Sequence, residues 1–290
     1  MPDSIPITCD PTLVSPIHAI RWTPEAGARS VVCPIAKEIP LTIRVNGNLV
    51  STLLASPDSL RELTIGHLLA RGDIHHPNQI LTWQVDYRTW CASITIQNSA
   101  GSNYPPPGLP SPANHLAITP TPSIADHPSN PHNPSDPTDL IASTHPDHSN
   151  TPASELQITP QIVVSASRWI TECSTVFRET GGFHTAGLYD PLHGPLFFFE
   201  DIARHNAVDK TIGKAFSETL KMNRLILVCT GRTSSESIRK AHRAGLTILI
   251  ARSAPTHPAV ILAQDTGITL VGFARNDGFT IYTHAQRILI

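Results

Sequence analysis

The chain has 290 residues, 40% of them apolar, and a formal net charge of −2. That length allows one large domain, or a principal domain with a smaller companion, and the near-neutral charge makes no electrostatic case for nucleic-acid binding. No uninterrupted apolar run approaches the ~20 residues of a membrane helix, and Met1–Pro6 shows no basic segment followed by an apolar one. A cytoplasmic chain with neither a membrane nor a nucleic-acid partner is expected.

Residues 1–38 are rich in Pro and Thr and read as irregular. Two β-prone runs, Leu41–Val45 and Leu49–Leu54, flank Asn46-Gly47-Asn48 and predict a hairpin. Ser56-Pro57-Asp58 has the chemistry of a helix start, with Ser56 as cap, and Gly72 can end that helix. Strands near Ile80–Val85 and Ser93–Gln97 complete a small α+β unit over 39–97. From 98 to 160 the composition changes to Pro, Ser and Asn. Half of the chain's prolines lie between Tyr104 and Pro160, and no Lys or Arg occurs between Arg88 and Arg168. Prolines at that density break regular structure, and too few apolar residues remain to offset the entropy of ordering. A disordered insertion is expected. Its histidines, His115, His127, His132, His145 and His148, lack the spacing of a metal site.

From 161 to 290 the pattern is that of an α/β domain. A helix over Gln161–Arg178 is expected, stopped by Gly181-Gly182. Apolar strand candidates at Leu196–Phe199, Leu225–Val228, Leu246–Ile250 and Ile268–Phe273 alternate with helical candidates at Ala207–Thr219, Ser234–Arg243 and Pro258–Gln264. This argues for a largely parallel sheet with helices on both faces. A last strand, Phe279–Tyr282, follows the turn Asn276-Asp277-Gly278 and can run antiparallel.

The polar residues collect where such strands end. Glu200–Lys210 holds seven polar or charged side chains in eleven positions and directly follows Leu196-Phe197-Phe198-Phe199. Open α/β sheets bind ligands beyond the carboxyl ends of their strands. Thr180–Ala186, Thr230–Glu236, Ser253–His257 and Arg275–Gly278 fall at other junctions. In Thr230–Glu236, backbone N–H groups, hydroxyls and Arg232 at a helix start can cradle a phosphate. Taken singly, Ser or Thr before a helix is more often a cap, an Arg an ion-pair partner, and a His a structural residue. Five clusters on one sheet edge favour a shared anionic or nucleotide-like ligand.

The five cysteines, Cys9, Cys33, Cys91, Cys173 and Cys229, are far apart and form no Cys-x-x-Cys pair. A disulfide framework or structural zinc site is not expected. Cys173, on the apolar face of its helix, reads as core.

Thr180-Gly181-Gly182-Phe183-His184, the Glu200–Lys210 run, Gly231-Arg232 with Ser234 and Glu236, Ser253-Ala254-Pro255-Thr256, and Leu270-Val271-Gly272-Phe273 through Tyr282 together resemble the formate dehydrogenase accessory protein family (FdhD/NarQ). The resemblance covers about 40–96 and 162–290. It implies a three-layer α/β mixed sheet resembling cytidine deaminase. It also implies a role in maturing molybdenum-dependent formate dehydrogenase, or a related molybdenum or tungsten enzyme. Such proteins carry sulfur, as a cysteine persulfide, from a cysteine desulfurase to the molybdenum bis(molybdopterin guanine dinucleotide) cofactor. A homodimer and binding of GDP-like ligands are implied as well.

By that resemblance Gly182, His184, Glu200, Asp201, Arg204, His205, Asn206, Arg232, Ser234, Thr256 and Phe273-Ala274-Arg275-Asn276-Asp277-Gly278 would line the cofactor pocket. Arg204 and Arg232 would take phosphates, and His184, His205 and Asn206 would orient polar ring atoms. Glu200 and Asp201 would fix the arginines or accept from guanine. No metal site is implied. Three departures stand out. The family's Cys-x-x-Cys loop is absent, with no cysteine from Ala92 to Glu172. Ala203 stands where the family has Gly, and His67 where it has an aromatic residue. Cys91, just before the insertion, is the candidate carrier thiol in sequence; the alternative is a binding and delivery protein without sulfur transfer. A zinc deaminase would need an H-x-E and a P-C-x-x-C, and neither occurs.

Overall fold

The computed structural model describes residues 10–97 and 156–290, which form one compact unit. The expected insertion lies outside the described residues except at its end. There Ile158 bridges Ile288, and Pro160 already opens a helix.

Residues 10–38 are more ordered than their composition suggests. β1 (Val14–Thr23) and β2 (Gly27–Ala36) form an antiparallel two-stranded ribbon, with Pro16 opposite Pro34. A ribbon with two free edges tolerates residues that cannot donate to a ladder. β3 (Ile39–Val45) and β4 (Asn48–Ala55) make the expected hairpin, with positive φ at both Asn46 and Gly47. They join β5 (Ile80–Asp86) and β6 (Cys91–Ile96) in a four-stranded sheet of order β4-β3-β6-β5. α1 (Leu60–Arg71) packs on this sheet. It begins later than expected, at Ser59 rather than Ser56, and Gly72 ends it with φ 88°.

The second sheet has six strands in the order β12-β11-β10-β9-β7-β8. β9 (Ile226–Cys229), β10 (Ile248–Ala251) and β11 (Thr269–Arg275) are mutually parallel. β12 (Gly278–Ile281) returns antiparallel on β11. β7 (His184–Asp190) runs antiparallel to both β8 (Gly194–Asp201) and β9. The sheet is therefore mixed rather than largely parallel, and β7 is a strand where the sequence suggested a connecting loop.

Alternate residues of each parallel strand serve opposite faces. Ile226, Val228, Ile248 and Ile250 pack with Val163 and Ile170 of α2 (Pro160–Cys173). Leu227, Leu249 and Leu270 face α4 (Arg204–Ser217), α5 (Ser235–Arg243) and α6 (His257–Asp265). Helices thus cover both faces. The helix expected over Gln161–Arg178 breaks at Ser174, whose hydroxyl donates to the Ile170 carbonyl (2.8 Å), and α3 (Thr175–Thr180) follows. α1 and α4 cross closely because both present glycine. A Cβ at Gly66 would collide with the Asp209 carbonyl, and one at Gly213 with the Glu62 carbonyl. Among the described residues no helix is long and apolar enough to cross a membrane.

Candidate functional site

β7 is antiparallel to β8 and to β9, so β8, β9, β10 and β11 all end on one edge of the sheet. α4, α5 and α6 start there. Their N-cap residues are Ala203, Ser234 and Thr256, and none makes a side-chain capping bond. Ser234 and Thr256 stand where caps belong, but their side chains do not cap. Three helix N-termini with positive partial charge at one edge favour an anion.

At this edge His184, the first residue of β7, meets Arg204 in the first turn of α4 and Arg232 in the β9–α5 loop. With Thr185, Val208, Cys229, Gly231, Thr233 and Ser237 they line one cleft. Gly231 lets the loop pass close: a Cβ there would lie 3.1 Å from the Arg204 Cβ and 3.3 Å from the His184 Nδ1. Arg204 Nε and Thr233 Oγ1 are buried without a partner, as is the neighbouring Ser234 Oγ. Burial, then the charges of Arg204 and Arg232, push the His184 imidazole below its ordinary value, so it is neutral at pH 7. His205 is likewise held low, chiefly by burial, although Glu236 opposes this. Its Nε2 lies 3.6 Å from Glu236, and its buried Nδ1 has no partner. The cleft combines unpaired guanidinium groups, a neutral imidazole and orphaned hydroxyls, which suits phosphate oxygens.

Other members of the Glu200–Lys210 run make contacts within the fold. Glu200 accepts from the backbone N–H groups of Val176 (3.2 Å) and Phe177 (3.3 Å), and so caps α3. Asp201 is fully buried and 2.8 Å from the Nζ of Lys210. It also accepts from the Ser56 hydroxyl (2.9 Å), the Ala203 N–H (3.0 Å) and the Asn206 amide (3.0 Å). Among the described residues neither carboxylate pairs with an arginine; backbone N–H groups meet Glu200, and Lys210, Ser56, Ala203 and Asn206 meet Asp201. The Asn206 amide nitrogen donates to Asp201 and to the Leu54 carbonyl (2.8 Å), which orients the β4–α4 junction.

Sequence reasoning missed the centre of this network. The Lys210 ammonium reaches Ser56 Oγ (2.7 Å) and Asp58 Oδ1 (2.8 Å), which explains why Ser56 is not a cap. A second missed pair is Lys240 with Asp209 (2.5 Å), beside His67 (3.7 Å). Arg252, directly after β10, was also missed, and its Nε is buried without a partner. A charged residue at a strand end was the available signal.

The remaining candidates disperse. Gly182 packs near Ala36 of β2. Phe273–Gly278 lies two strands from β9 on the same edge; Phe273 and Gly278 have positive φ, and the Ala274 carbonyl is bonded to Ser167. Cys91 opens β6 between Thr42 and Asp86 and is not among the cleft residues. Cys229 does line the cleft, but burial pushes its thiol up to about 12. Burial also raises Cys173. A larger groove of about 630 Å³ has Asp10, Asp58, Glu179 and Glu200 in its wall. Its sign is wrong for phosphate. Among the described residues no cluster of His, Cys, Asp or Glu could hold a metal ion.

Comparison with known proteins converges on one group. The model of the FdhD/NarQ family matches residues 36–106 and 137–289. The chain is 33% identical over 254 residues to "Sulfur carrier protein FdhD" of Staphylococcus aureus (strain MRSA252), covering 87% of this chain and 88% of that one. It is 32% identical over 253 residues to the protein of the same name from Staphylococcus haemolyticus, with the same coverage. A solved structure of a candidate formate dehydrogenase accessory protein from Desulfotalea psychrophila superposes with a TM-score of 0.71 at 20% identity, over 96% of this chain and 100% of that one. That likeness establishes the mixed α/β fold. With the family model, the relatives and the fold in agreement, the chain belongs to the FdhD/NarQ family.

Proposed function

We propose that the chain is a formate dehydrogenase accessory protein and sulfur carrier. It binds the bis-guanylylated molybdenum cofactor as cargo at the strand-end cleft and passes it sulfur taken from a cysteine desulfurase. A cytoplasmic homodimer serving a molybdenum or tungsten enzyme fits this reading. The observation that carries it is the His184–Arg204–Arg232 cleft, whose buried Arg204 Nε and Thr233 Oγ1 have no protein acceptor. Charge-assisted bonds from guanidinium to phosphate supply both affinity and orientation. The relatives named as sulfur carriers support the second half.

Calorimetry with GDP tests the binding half. The intact chain should bind, and Arg232→Ala should lose about tenfold or more, ~1.4 kcal/mol, with an unchanged melting temperature. Undiminished affinity in that variant refutes the assignment.

In the sulfur step a thiolate attacks the terminal sulfur of the donor persulfide. A new S–S bond forms, the old one breaks, and the donor thiolate leaves. Cys229, with its thiol pushed up to about 12, is a poor nucleophile at neutral pH. Cys91 is half-buried at a strand start and is the proposed carrier. Mass spectrometry after incubation with desulfurase and cysteine should find a persulfide on Cys91. Absence of persulfide on every cysteine leaves the second reading, a delivery protein without sulfur transfer. That reading is favoured by the lack of any cysteine between Ala92 and Glu172.

A further inference from the structure

The ribbon of β1 and β2 bares more apolar surface than two strands can shelter. Each strand has 10 residues, so at about 3.3 Å per residue the ribbon is an arm roughly 33 Å long. Its root is packed: Leu13 and Val14 cluster with Val176 and Phe183, and Ala36 packs against them. Towards the tip Ile20 is 78% and Trp22 67% exposed. Successive side chains point to opposite faces, so these two share one. A two-stranded hairpin alone is marginal in water, and adjoining exposed apolar side chains mark an interaction surface. The other face carries Arg21 directly opposite Arg29. Like charges so placed repel, and among the described residues neither arginine forms an ion pair. Near its tip the arm is thus apolar on one side and basic on the other.

The groove of about 630 Å³ has the complementary character and opens beside the root of the arm, since Asp10 and Leu13 in its wall lie just before β1. Leu13, Val176, Phe198 and Phe199 supply apolar surface, and Phe198 is 38% exposed. Four carboxylates against Arg178 make the groove acidic. Asp10 is exposed, accepts from the Thr12 N–H (2.8 Å) and hydroxyl (2.7 Å), and forms no ion pair among the described residues. β8, which carries both phenylalanines, is the outermost strand of its sheet. The chain's own arm does not fill this groove, because Ile20 and Trp22 are exposed and absent from its wall.

We infer that the arm of one copy docks in the groove of a second copy, whose own arm fills the groove of the first. Ile20 and Trp22 supply the apolar anchor against Phe198 and Phe199, and Arg21 and Arg29 meet the acidic side chains. Arm and groove lie side by side on each copy, so a two-fold axis lets each copy give one arm and receive one, the isologous arrangement. Opposite signs on the two surfaces fix the orientation. The inference rests on the homodimer proposed above and names the surface that makes it.

Sedimentation equilibrium on the intact chain tests it. The chain should be a dimer that loosens as salt rises, because exposed charge pairing is screened. Ile20→Ser with Trp22→Ser should raise the dimer Kd about thirtyfold or more, as for loss of a buried aromatic anchor. Arg21→Glu with Arg29→Glu should weaken the dimer about tenfold, as should Asp10→Arg, and combining all three should recover most of the loss. Thermal melts check that each variant folds; should an arm variant fail to fold, Asp10→Arg decides, since it lies outside the ribbon. A dimer unmoved by arm and groove changes alike uses another surface, which overturns the inference and leaves the homodimer standing. Arm variants that stay dimeric but lose binding to purified cysteine desulfurase assign the arm to that partner, and this too overturns it. A chain that is monomeric at every concentration removes the inference together with the homodimer, while the GDP titration judges the cofactor cleft separately.

Discussion

Lys210 carries an ammonium group with no solvent exposure, met by Asp201, Asp58 and Ser56 at 2.7 to 2.8 Å. Breaking a buried pair costs more than the pair contributes, because it strands the remaining charge. Lys210→Met should therefore lower unfolding free energy by about 3–5 kcal/mol in chemical denaturation. A loss below about 1 kcal/mol, as for an exposed pair, would contradict the burial argument. His184 allows a pH prediction. Its unfolded imidazole titrates near 6.5, and burial with Arg204 and Arg232 holds the folded one lower. Between those values the unfolded chain binds more protons, so this group's contribution to stability falls as pH drops through that window. An anion that screens the two arginines has the opposite effect and raises the folded value. GDP should then bind with proton uptake, and its affinity should rise as pH falls from about 7.5 toward 6. His184→Gln should flatten that slope; a slope that persists in the variant places the titrating group elsewhere.

At the scale of elements, the crossing of α1 on α4 sets where the first turn of α4 lies. Gly66→Ala gains about 1 kcal/mol of helix propensity. It also drives a methyl into the Asp209 carbonyl, backbone that cannot swing aside. Overpacking costs about 1–3 kcal/mol and sometimes more, so the net effect should be destabilising. A raised melting temperature would show that the helices separate freely. The same elements show what the sequence made readable. Asn46-Gly47 announced its hairpin because both residues need positive φ, and both have it. β7 stayed hidden because His184-Thr185-Ala186-Gly187 lacks the bulky apolar residues that mark a strand. Gly187 is nevertheless required, since a Cβ there would collide with Trp169. The ribbon β1–β2 was hidden by its prolines and by its exposed faces, which leave no apolar alternation to read.

At the scale of the molecule, one apolar cluster runs from Leu41 and Ile43 of the small sheet, through Leu63 and Leu68 of α1 and Ile212 of α4, to Leu227 and Leu249 of the large one. The 39–97 segment and the 161–290 segment, distinct in the sequence reading, therefore share a core. They should melt in one transition, with coincident far- and near-ultraviolet circular dichroism. Two separated transitions would divide them. The strand-end edge was legible because strand-end polar clusters are local in sequence, and the placement of His184, Arg204 and Arg232 along one edge follows from that pattern. Their supports were not. Ser56 and Lys210 lie 154 residues apart, and no local pattern pairs them.

That last contact has a temporal meaning. The first turn of α4, which carries Arg204, is anchored through Asp201 and Lys210 to Ser56 and Asp58, residues synthesised about 150 positions earlier. Until the amino-terminal sheet has docked, Asp201 and Lys210 keep only each other and their local donors, and the turn that carries Arg204 lacks its anchor to Ser56 and Asp58. A half-assembled chain should thus hold the first turn of α4 less firmly, which ties the geometry of the strand-end edge to completed assembly through one buried lysine.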